Sequence, residues 1–522
     1  MLRGDLENLK NKLVFDEVKS TGQIKLGAII SYISIAINII AGLLYTPWMV
    51  QQIGQDNFGL YSLAISLISI FLIDFGLSAA VSRFVSKYYA EGNQVKVNNI
   101  LGVIYKFYFL IGALLLLSLV LIYFNIDLIY TELSPSELKN FKIVYIIAAT
   151  FSVISFPFIP LNGILTSYEK FVKLKLCDLF NRILSILLIV LALLFNYGLY
   201  ALVTANAISG LITIVIKLVI IKRNTPIKIN FDYNSKEMVK EIFSFSIWST
   251  VISIAQRFIF NITPSILGAI SGAVSISVFA IGSIIEGYIF TIGNAINGLF
   301  LPKVTRIVQN NDSSNGLLKL MVKLGRIQLC IIGLIIIGFI TIGQDFIYLW
   351  MGEEYSSSYY IAVLLIIPAL IDLPQYIGNN ALVALNKLKL QSYVFIGMAI
   401  INIILSLIFS RYWGALGASL AICISYLLRS IGMNIIFYRS LKINVFIFFK
   451  ECHIKLLPPL LLTFGIGIGI GYYFTEVTWY NLLIKGTILT VFYFIIIWLI
   501  GFNKYEKNLV VQTISQIKNK II

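Results

Sequence analysis

The chain has 522 residues, of which 59% are hydrophobic and only 12% are charged, and it carries a formal charge of +16. Water-soluble proteins contain about 25% charged residues, so this chain has too few polar side chains to cover a soluble fold. One histidine, His453, and four scattered cysteines argue against a histidine-based active site, a metal cluster and a disulfide framework. We therefore expect an all-α integral membrane protein without a metal or cofactor.

Apolar stretches long enough to cross a bilayer, at ~20 residues each, follow one another along the whole chain. They lie near residues 26–50, 58–82, 105–125, 143–165, 180–197, 199–221, 242–266, 272–300, 327–350, 358–383, 392–410, 414–438, 456–475 and 480–502. The sequence thus predicts about 14 transmembrane helices. No small-residue cleavage site follows the polar leader, residues 1–25, and we expect the leader to stay in the cytoplasm.

The positive charge is concentrated in every second connection between spans. With the N-terminus inside, 33 of the 40 Lys and Arg residues fall on the inner side, 4 in outer loops and 3 within spans. This asymmetry is the positive-inside bias of a multi-pass protein with both termini in the cytoplasm. The basic composition therefore indicates topology, and it argues against nucleic-acid binding.

The sequence repeats itself at a separation of 216–217 residues. Thr46 and Pro47 near the end of the first span match Thr263 and Pro264 near the end of the seventh. Further matches link the fourth span to the tenth and the sixth to the twelfth. Because six spans separate the copies, the halves share an orientation and are expected to enclose a cleft.

The repeat divides the chain into predicted regions. An N-lobe covers residues 26–222 and a C-lobe covers 242–438, each with six helices. The remaining regions are a cytoplasmic linker (223–241), a cytoplasmic loop (439–455), two extra helices (456–502) and a cytoplasmic tail (503–522).

Polar residues recur on one face of the seventh span. An ionisable side chain in a span normally faces protein or a water-filled cavity, because placing it in hydrocarbon costs a few kcal/mol. The residues of this face, spaced by three or four positions, are Ser246, Thr250, Ser253, Arg257 and Asn261. We expect this face to be wet. The first span carries a milder stripe that includes Asn38 and no carboxylate.

Carboxylates lie halfway along two later spans, Glu286 in the eighth and Asp372 in the tenth. Either one forms part of a substrate or proton site, or it pairs with Arg257 and locks the C-terminal half. Asp74 and Arg83, toward the cytoplasmic end of the second span, are expected at an inner entrance.

Four further charges lie in or beside spans. Asp178 and Arg182 are spaced i, i+4, which is typical of a structural ion pair. Lys217, near the inner end of the sixth span, is expected to reach the headgroups as an anchor. Arg429 lies deeper, in the twelfth span.

The glycine-rich run Gly465–Gly471 contains no lysine and lies within an apolar helix. Its spacing suits close helix packing or a lipid-facing groove. Nothing in the chain has the pattern of a Walker loop, so ATP hydrolysis is not expected.

Several strings, in their order and spacing, resemble the Wzx-type polysaccharide flippases. This is the oligosaccharide exporter branch of the superfamily that also holds the multidrug and toxin extruders and the lipid II flippases. The strings are Gly54 to Tyr61, Asp74 to Ser78 with Arg83, Asn162-Gly163, Tyr168 to Phe171, Phe346 to Gly352 with Tyr355, Asn402 with Ser406, and Gly414 to Ala418.

The resemblance implies two six-helix lobes in a V, as in the multidrug and toxin extruders, and a transporter rather than an enzyme. Its substrate would be an oligosaccharide repeat unit on undecaprenyl pyrophosphate, moved outward across a bacterial inner membrane, with membrane lipid and a polysaccharide polymerase as partners. Arg257 is the first candidate for a phosphate-binding cation, because guanidinium suits phosphate. The other substrate-binding candidates are Arg83, Arg429, Asn261 and Asn38. The ion-coupling candidates are Glu286, Asp372 and Asp74.

Two other functions remain open. A multidrug antiporter of the same architecture often keeps an ion-coupling carboxylate on its first span, and this first span has none. A membrane glycosyltransferase or polymerase usually needs a large outer loop, whereas the longest one here, near residues 125–142, has fewer than twenty residues.

Overall fold

The computed structural model describes residues 26, 30–297, 300–308 and 313–521. Over these ranges the chain consists of helices joined by short turns, and no strand occurs in them. The predicted all-α fold is thus confirmed. The predicted leader, residues 1–25, lies outside the described residues.

The α-helices of the described ranges are numbered in chain order. They are α1 Ile30–Ile53, α2 Gln55–Phe71, α3 Leu77–Ala90, α4 Gln94–Ile129, α5 Pro135–Ser155, α6 Pro160–Ser167, α7 Phe171–Leu194, α8 Gly198–Asn224, α9 Lys236–Phe260, α10 Ile262–Ile270, α11 Gly272–Asn297, α12 Leu301–Val308, α13 Ser313–Met351, α14 Ser357–Ile366, α15 Ala369–Asp372, α16 Tyr376–Ala384, α17 Leu388–Leu441, α18 Val445–Phe449, α19 Lys455–Tyr473, α20 Trp479–Ile496 and α21 Lys504–Ile521. Short 3-10 turns and π-helical turns join some of them without a break in the span.

Within the described ranges, twelve helical stretches are long and apolar enough to cross a membrane. The longest, α17, has 54 residues, which at 1.5 Å per residue is ~81 Å and far exceeds a hydrocarbon core of ~30 Å. Its backbone leaves the helical conformation at Gly414 (φ 52°, ψ −128°), so α17 comprises two spans. The second predicted span is also divided, into α2 and α3. The structure therefore agrees with about 14 spans.

The chain divides into two compact units, Met1–Ser277 and Val278–Ile522. In the first unit, α7 packs along α8, α2 packs on α5 and α10, and α3 packs on α6 and α9. In the second unit, α13 packs on α19 and α20, and α14 packs on α17. The lobe limits expected from the repeat stay a prediction.

The backbone repeats its irregular features at the spacing found in the sequence. The 3-10 turn Phe156–Phe158 has its counterpart in Leu373–Gln375, 217 positions later. After the next helix, Glu169 (φ 55°) and Asn386 (φ 56°) both adopt the left-handed conformation that non-glycine residues rarely take. Helix-ending geometry of this kind recurs because the two segments share a local sequence pattern, and it supports the predicted repeat of six spans.

The helices that follow the repeat are tied to α13 at two places. About a third of the way along α13, the buried Arg326 donates to the carboxylate of Glu506 on α21 from Nε (2.6 Å) and Nη2 (2.9 Å), and to the carbonyl of Gly501 (2.6 Å). Toward the other end, Lys485 Nζ lies 2.6 Å from Asp345 Oδ2. The expected loop, residues 439–455, is mostly helical, because α17 continues to Leu441 and α18 starts at Val445.

We predict that Glu506→Gln destabilises the protein by about 3–5 kcal/mol, because it leaves the Arg326 guanidinium buried without its counter-charge. Thermal unfolding of the purified protein in detergent measures the effect. The control is Asp127→Asn, which removes a partner of the exposed pair Lys142–Asp127 (2.6 Å). It should change stability by less than about 1 kcal/mol. Equal effects of the two substitutions would contradict the structural role of Arg326.

Candidate functional site

Arg257 lies half-buried on α9 and contacts the end of α2. Its Nη1 donates a hydrogen bond to the carbonyl of Ser69. This carbonyl is one of the last four in α2, which have no partner within their own helix, so Arg257 caps that helix. Asp74 interacts electrostatically with the guanidinium. Arg257 makes no other hydrogen bond to the described residues, which leaves most of its five N–H groups available to a ligand.

The break between α2 and α3 shapes this region. Phe75 (φ 52°) and Gly76 (φ 67°) are both left-handed, and the Gly76 N–H donates to Asp74 Oδ1 (3.1 Å). Ser246 donates from Oγ to the Gly76 carbonyl (3.3 Å). Ser246 and Thr250 are 1% and 4% exposed. The expectation of a wet face is therefore wrong for these two residues, because their hydroxyls bind backbone carbonyls inside the protein.

The remaining candidates of the first unit lie apart along their helices. Arg83 is exposed on α3, with its guanidinium 5.7 Å from the centre of the Phe84 ring. Asn38 is half-buried on α1, and its Oδ1 has no hydrogen-bond partner among the described residues. Asn261 follows the end of α9, four positions after Arg257, and its N–H donates to the Arg257 carbonyl (2.8 Å).

In the second unit, Asp372 and Arg429 form an ion pair between α15 and α17. Arg429 is 6% exposed. Its guanidinium lies 4.4 Å from the centre of the Tyr426 ring and 5.1 Å from that of Phe395. Aromatic faces attract a cation, so these rings add to the stabilisation by the carboxylate. The structural alternative considered for a midplane carboxylate was an ion pair with Arg257, whereas Asp372 forms its ion pair with Arg429.

Glu286 differs from the other membrane carboxylates. It is 7% exposed on α11, and it forms no ion pair or hydrogen bond with the described residues. It interacts electrostatically with Tyr426, so the ring of Tyr426 brings Glu286 and the Asp372–Arg429 pair into one cluster. A buried carboxylate without a partner is costly in hydrocarbon. Binding a proton or a small cation would remove that cost.

Sequence reasoning missed a polar seam between α7 and α8. Asp178 does not pair with Arg182, as its spacing predicted, but with Lys217 (3.0 Å) and Lys175 (3.7 Å). Lys217 is therefore a partner in an ion pair within the protein as well as a candidate anchor. The sequence pattern that could have revealed this seam is the helical spacing of polar side chains on both helices. They are Asp178, Asn181, Arg182 and Ser185 on α7, and Asn206, Ser209, Thr213 and Lys217 on α8.

No group of three or more His, Cys, Asp and Glu side chains in the described ranges is arranged to hold a metal ion. The candidate chemistry of the described residues is thus that of guanidinium groups, hydroxyls and carboxylates. Such groups bind anions, sugars, protons or single cations.

Comparison with known proteins adds a family and a fold. Residues 24–308 match the family described as "Polysaccharide biosynthesis protein". The chain belongs to this family. No functionally curated protein matches it significantly. Among solved structures, the lipid II flippase MurJ is 18% identical with a TM-score of 0.64, over 90% of this chain and 97% of MurJ.

Two further solved structures share the fold. An inward-facing multidrug resistance transporter of the MATE family, in the MOP superfamily, is 14% identical with a TM-score of 0.61, over 77% of this chain and 96% of that one. A MOP-superfamily transporter from Pyrococcus furiosus is 14% identical with a TM-score of 0.56, over 80% and 94%. The resemblance inferred from the sequence is thus confirmed, and the chain is a multi-pass membrane protein with the MOP-superfamily fold.

We predict that Asp372→Asn and Arg429→Met each lower stability by about 3–5 kcal/mol, because each leaves one buried charge alone. The double variant Asp372→Asn/Arg429→Met should be more stable than either single variant, since it buries no unpaired charge. Thermal unfolding of the four proteins gives the coupling energy. Additive losses would contradict the ion pair.

Proposed function

We propose that this protein is a flippase that moves an oligosaccharide, linked to undecaprenyl pyrophosphate, from the cytoplasmic to the outer leaflet by alternating access. The observation that carries the proposal is the combination of a polysaccharide biosynthesis family match over residues 24–308 with a MurJ-like fold over 90% of the chain. The proposal includes a bacterial inner membrane, two cytoplasmic termini, and a polysaccharide polymerase that takes over the flipped unit.

The physical problem of such a reaction is the polar head of the substrate. A diphosphate with sugars does not cross ~30 Å of hydrocarbon unaided, so the protein must offer a hydrated path with cationic groups. Arg257 meets this need best, because it is half-buried and makes one hydrogen bond to the described residues. Arg83 and Arg429 are second choices, with Arg429 already held by Asp372. Asn261 and Asn38 offer amides to the sugars or phosphates.

An ion gradient would supply the driving force for the return step. Among the three coupling candidates, Asp372 pairs with Arg429 and Asp74 accepts a backbone hydrogen bond beside Arg257. Glu286 forms neither kind of contact with the described residues. We therefore place the proton or sodium site at Glu286, since occupancy there replaces a missing partner.

A multidrug antiporter coupled to H⁺ or Na⁺ is the second candidate, because MATE-family transporters share the fold. The first span argues against it: α1 contains no Asp or Glu. Both candidates predict alternating access, and they differ in the charge of the substrate. A flippase of a pyrophosphate carrier needs cationic groups for its substrate, whereas an extruder of organic cations needs anionic ones.

Proteoliposomes test the two functions in parallel. We expect the wild-type protein to move a fluorescent undecaprenyl-pyrophosphate oligosaccharide between leaflets and to leave a cationic dye untransported. Arg257→Ala should reduce flipping at least tenfold, because a bidentate phosphate contact is lost. Arg411→Ala, at the exposed end of a span, is the matched control and should keep wild-type flipping. Dye transport without flipping would establish the antiporter and overturn the proposal.

The same vesicles test Glu286. We expect Glu286→Gln to fold normally and to lose the dependence of flipping on an imposed proton or sodium gradient, because the amide cannot take up a cation. Glu353→Gln, which alters an exposed carboxylate outside the membrane core, should keep that dependence. A gradient response that survives in Glu286→Gln would move the coupling site elsewhere.

A further inference from the structure

Arg182 is a charged side chain in the seam between α7 and α8 that has no counter-charge among the described residues. The nearest carboxylate in sequence, Asp178, is engaged by Lys217 and Lys175. Arg182 is half-buried, its Nε is fully buried without a hydrogen-bond partner, and no hydrogen bond or ion pair joins it to the described residues. Helix α7, Phe171–Leu194, is one of the candidate membrane spans, and Arg182 lies about 17 Å along it, near its middle.

Two tyrosine hydroxyl groups near Arg182 are further hydrogen-bond donors. Tyr45 on α1 and Tyr61 on α2 both interact electrostatically with Arg182. The Tyr61 hydroxyl accepts a hydrogen bond from Asn206 Nδ2 (3.1 Å), and none of the described residues accepts its own proton. The Tyr45 hydroxyl makes no hydrogen bond to the described residues.

Two side-chain acceptors of the seam already accept a hydrogen bond from another residue. Asn206 Oδ1 accepts from Ser185 Oγ, and Asn181 Oδ1 accepts from Thr213 Oγ1 (3.1 Å). A guanidinium and two phenol groups therefore converge with donors in excess. Buried donors normally have partners, and an unpaired charge within a membrane span is costly. An anion with several oxygen atoms satisfies all three groups at once.

We propose that Arg182, Tyr45 and Tyr61 form a phosphate-binding subsite within the first unit. The ligand is a phosphate group, either that of the lipid-linked substrate or inorganic phosphate. Guanidinium and hydroxyl donors suit its oxygen atoms. This inference deepens the proposed function, because the substrate proposed there carries a pyrophosphate, and it adds a second cationic contact to that of Arg257.

The first test measures ligand stabilisation of the purified protein. A ligand that binds the folded state raises the unfolding temperature. Inorganic pyrophosphate and, separately, undecaprenyl phosphate should each stabilise the wild type, and Arg182→Gln should weaken the apparent affinity about tenfold or more. Tyr61→Phe should weaken it by less. The control Tyr145→Phe removes a hydroxyl already bonded to the Leu119 carbonyl (2.9 Å), and its response to ligand should remain.

The two ligands distinguish the sources of the phosphate. Binding of undecaprenyl phosphate but not of pyrophosphate assigns the subsite to the lipid-linked substrate. Binding of pyrophosphate alone assigns it to a free anion. An equal response of the wild type and Arg182→Gln to both ligands overturns the proposal.

The second test uses the sign of a stability change. Without any phosphate, Arg182→Met should be more stable than the wild type, since it removes an unpaired charge from the membrane interior. A loss of stability in Arg182→Met would show a structural role and overturn the proposal. In the flipping assay, equal flipping by the wild type and the Arg182 variants would reject this subsite alone. Phosphate binding that depends on Arg182, without any flipping, would reject only the proposed function.

Discussion

Hydrocarbon offers no partner to a charge, and this constraint organises the whole protein. An ionisable side chain within a span is either paired inside the protein or available to bind a substrate or an ion. Most of the buried charges among the described residues are of the first kind. The pairs are Arg326–Glu506, Lys485–Asp345, Arg429–Asp372 and Lys217–Asp178. Because these pairs account for so much of the buried charge, the few groups left over become informative.

The groups left over differ in sign between the two units. In the first unit, Arg182 forms no hydrogen bond or ion pair with the described residues, and Arg257 donates one hydrogen bond, to a backbone carbonyl, with Asp74 nearby. In the second unit, Glu286 is a buried carboxylate that forms no ion pair with the described residues. Surplus donors suit an anionic substrate head, and a surplus carboxylate suits a proton or small cation. A transporter of a phosphorylated lipid driven by a cation gradient requires both kinds of site.

Two of the spans contain a break in the helix, and one of these breaks is where Arg257 binds. Helix α17 leaves the helical conformation at Gly414, and the second span breaks at Phe75 and Gly76. A broken helix within a membrane exposes backbone groups that side chains must satisfy. At the second-span break, Arg257 and Ser246 of α9 donate hydrogen bonds to such backbone carbonyls. The hydrogen bond to Ser69 thus holds Arg257 in place. Its remaining N–H groups stay available to the proposed substrate.

The sequence by itself determined the all-α membrane fold, about 14 spans, the repeat and the family resemblance, because hydropathy, charge asymmetry and spacing are properties of short segments. Tertiary structure decided the partners. Spacing predicted an Asp178–Arg182 pair, yet Asp178 binds Lys217 on the neighbouring helix, and the stripe with Ser246 and Thr250 is partly buried. An i, i+4 pair contributes only about 0.2–0.5 kcal/mol, so contacts between packed helices, which no local pattern encodes, determine which charge is left unpaired.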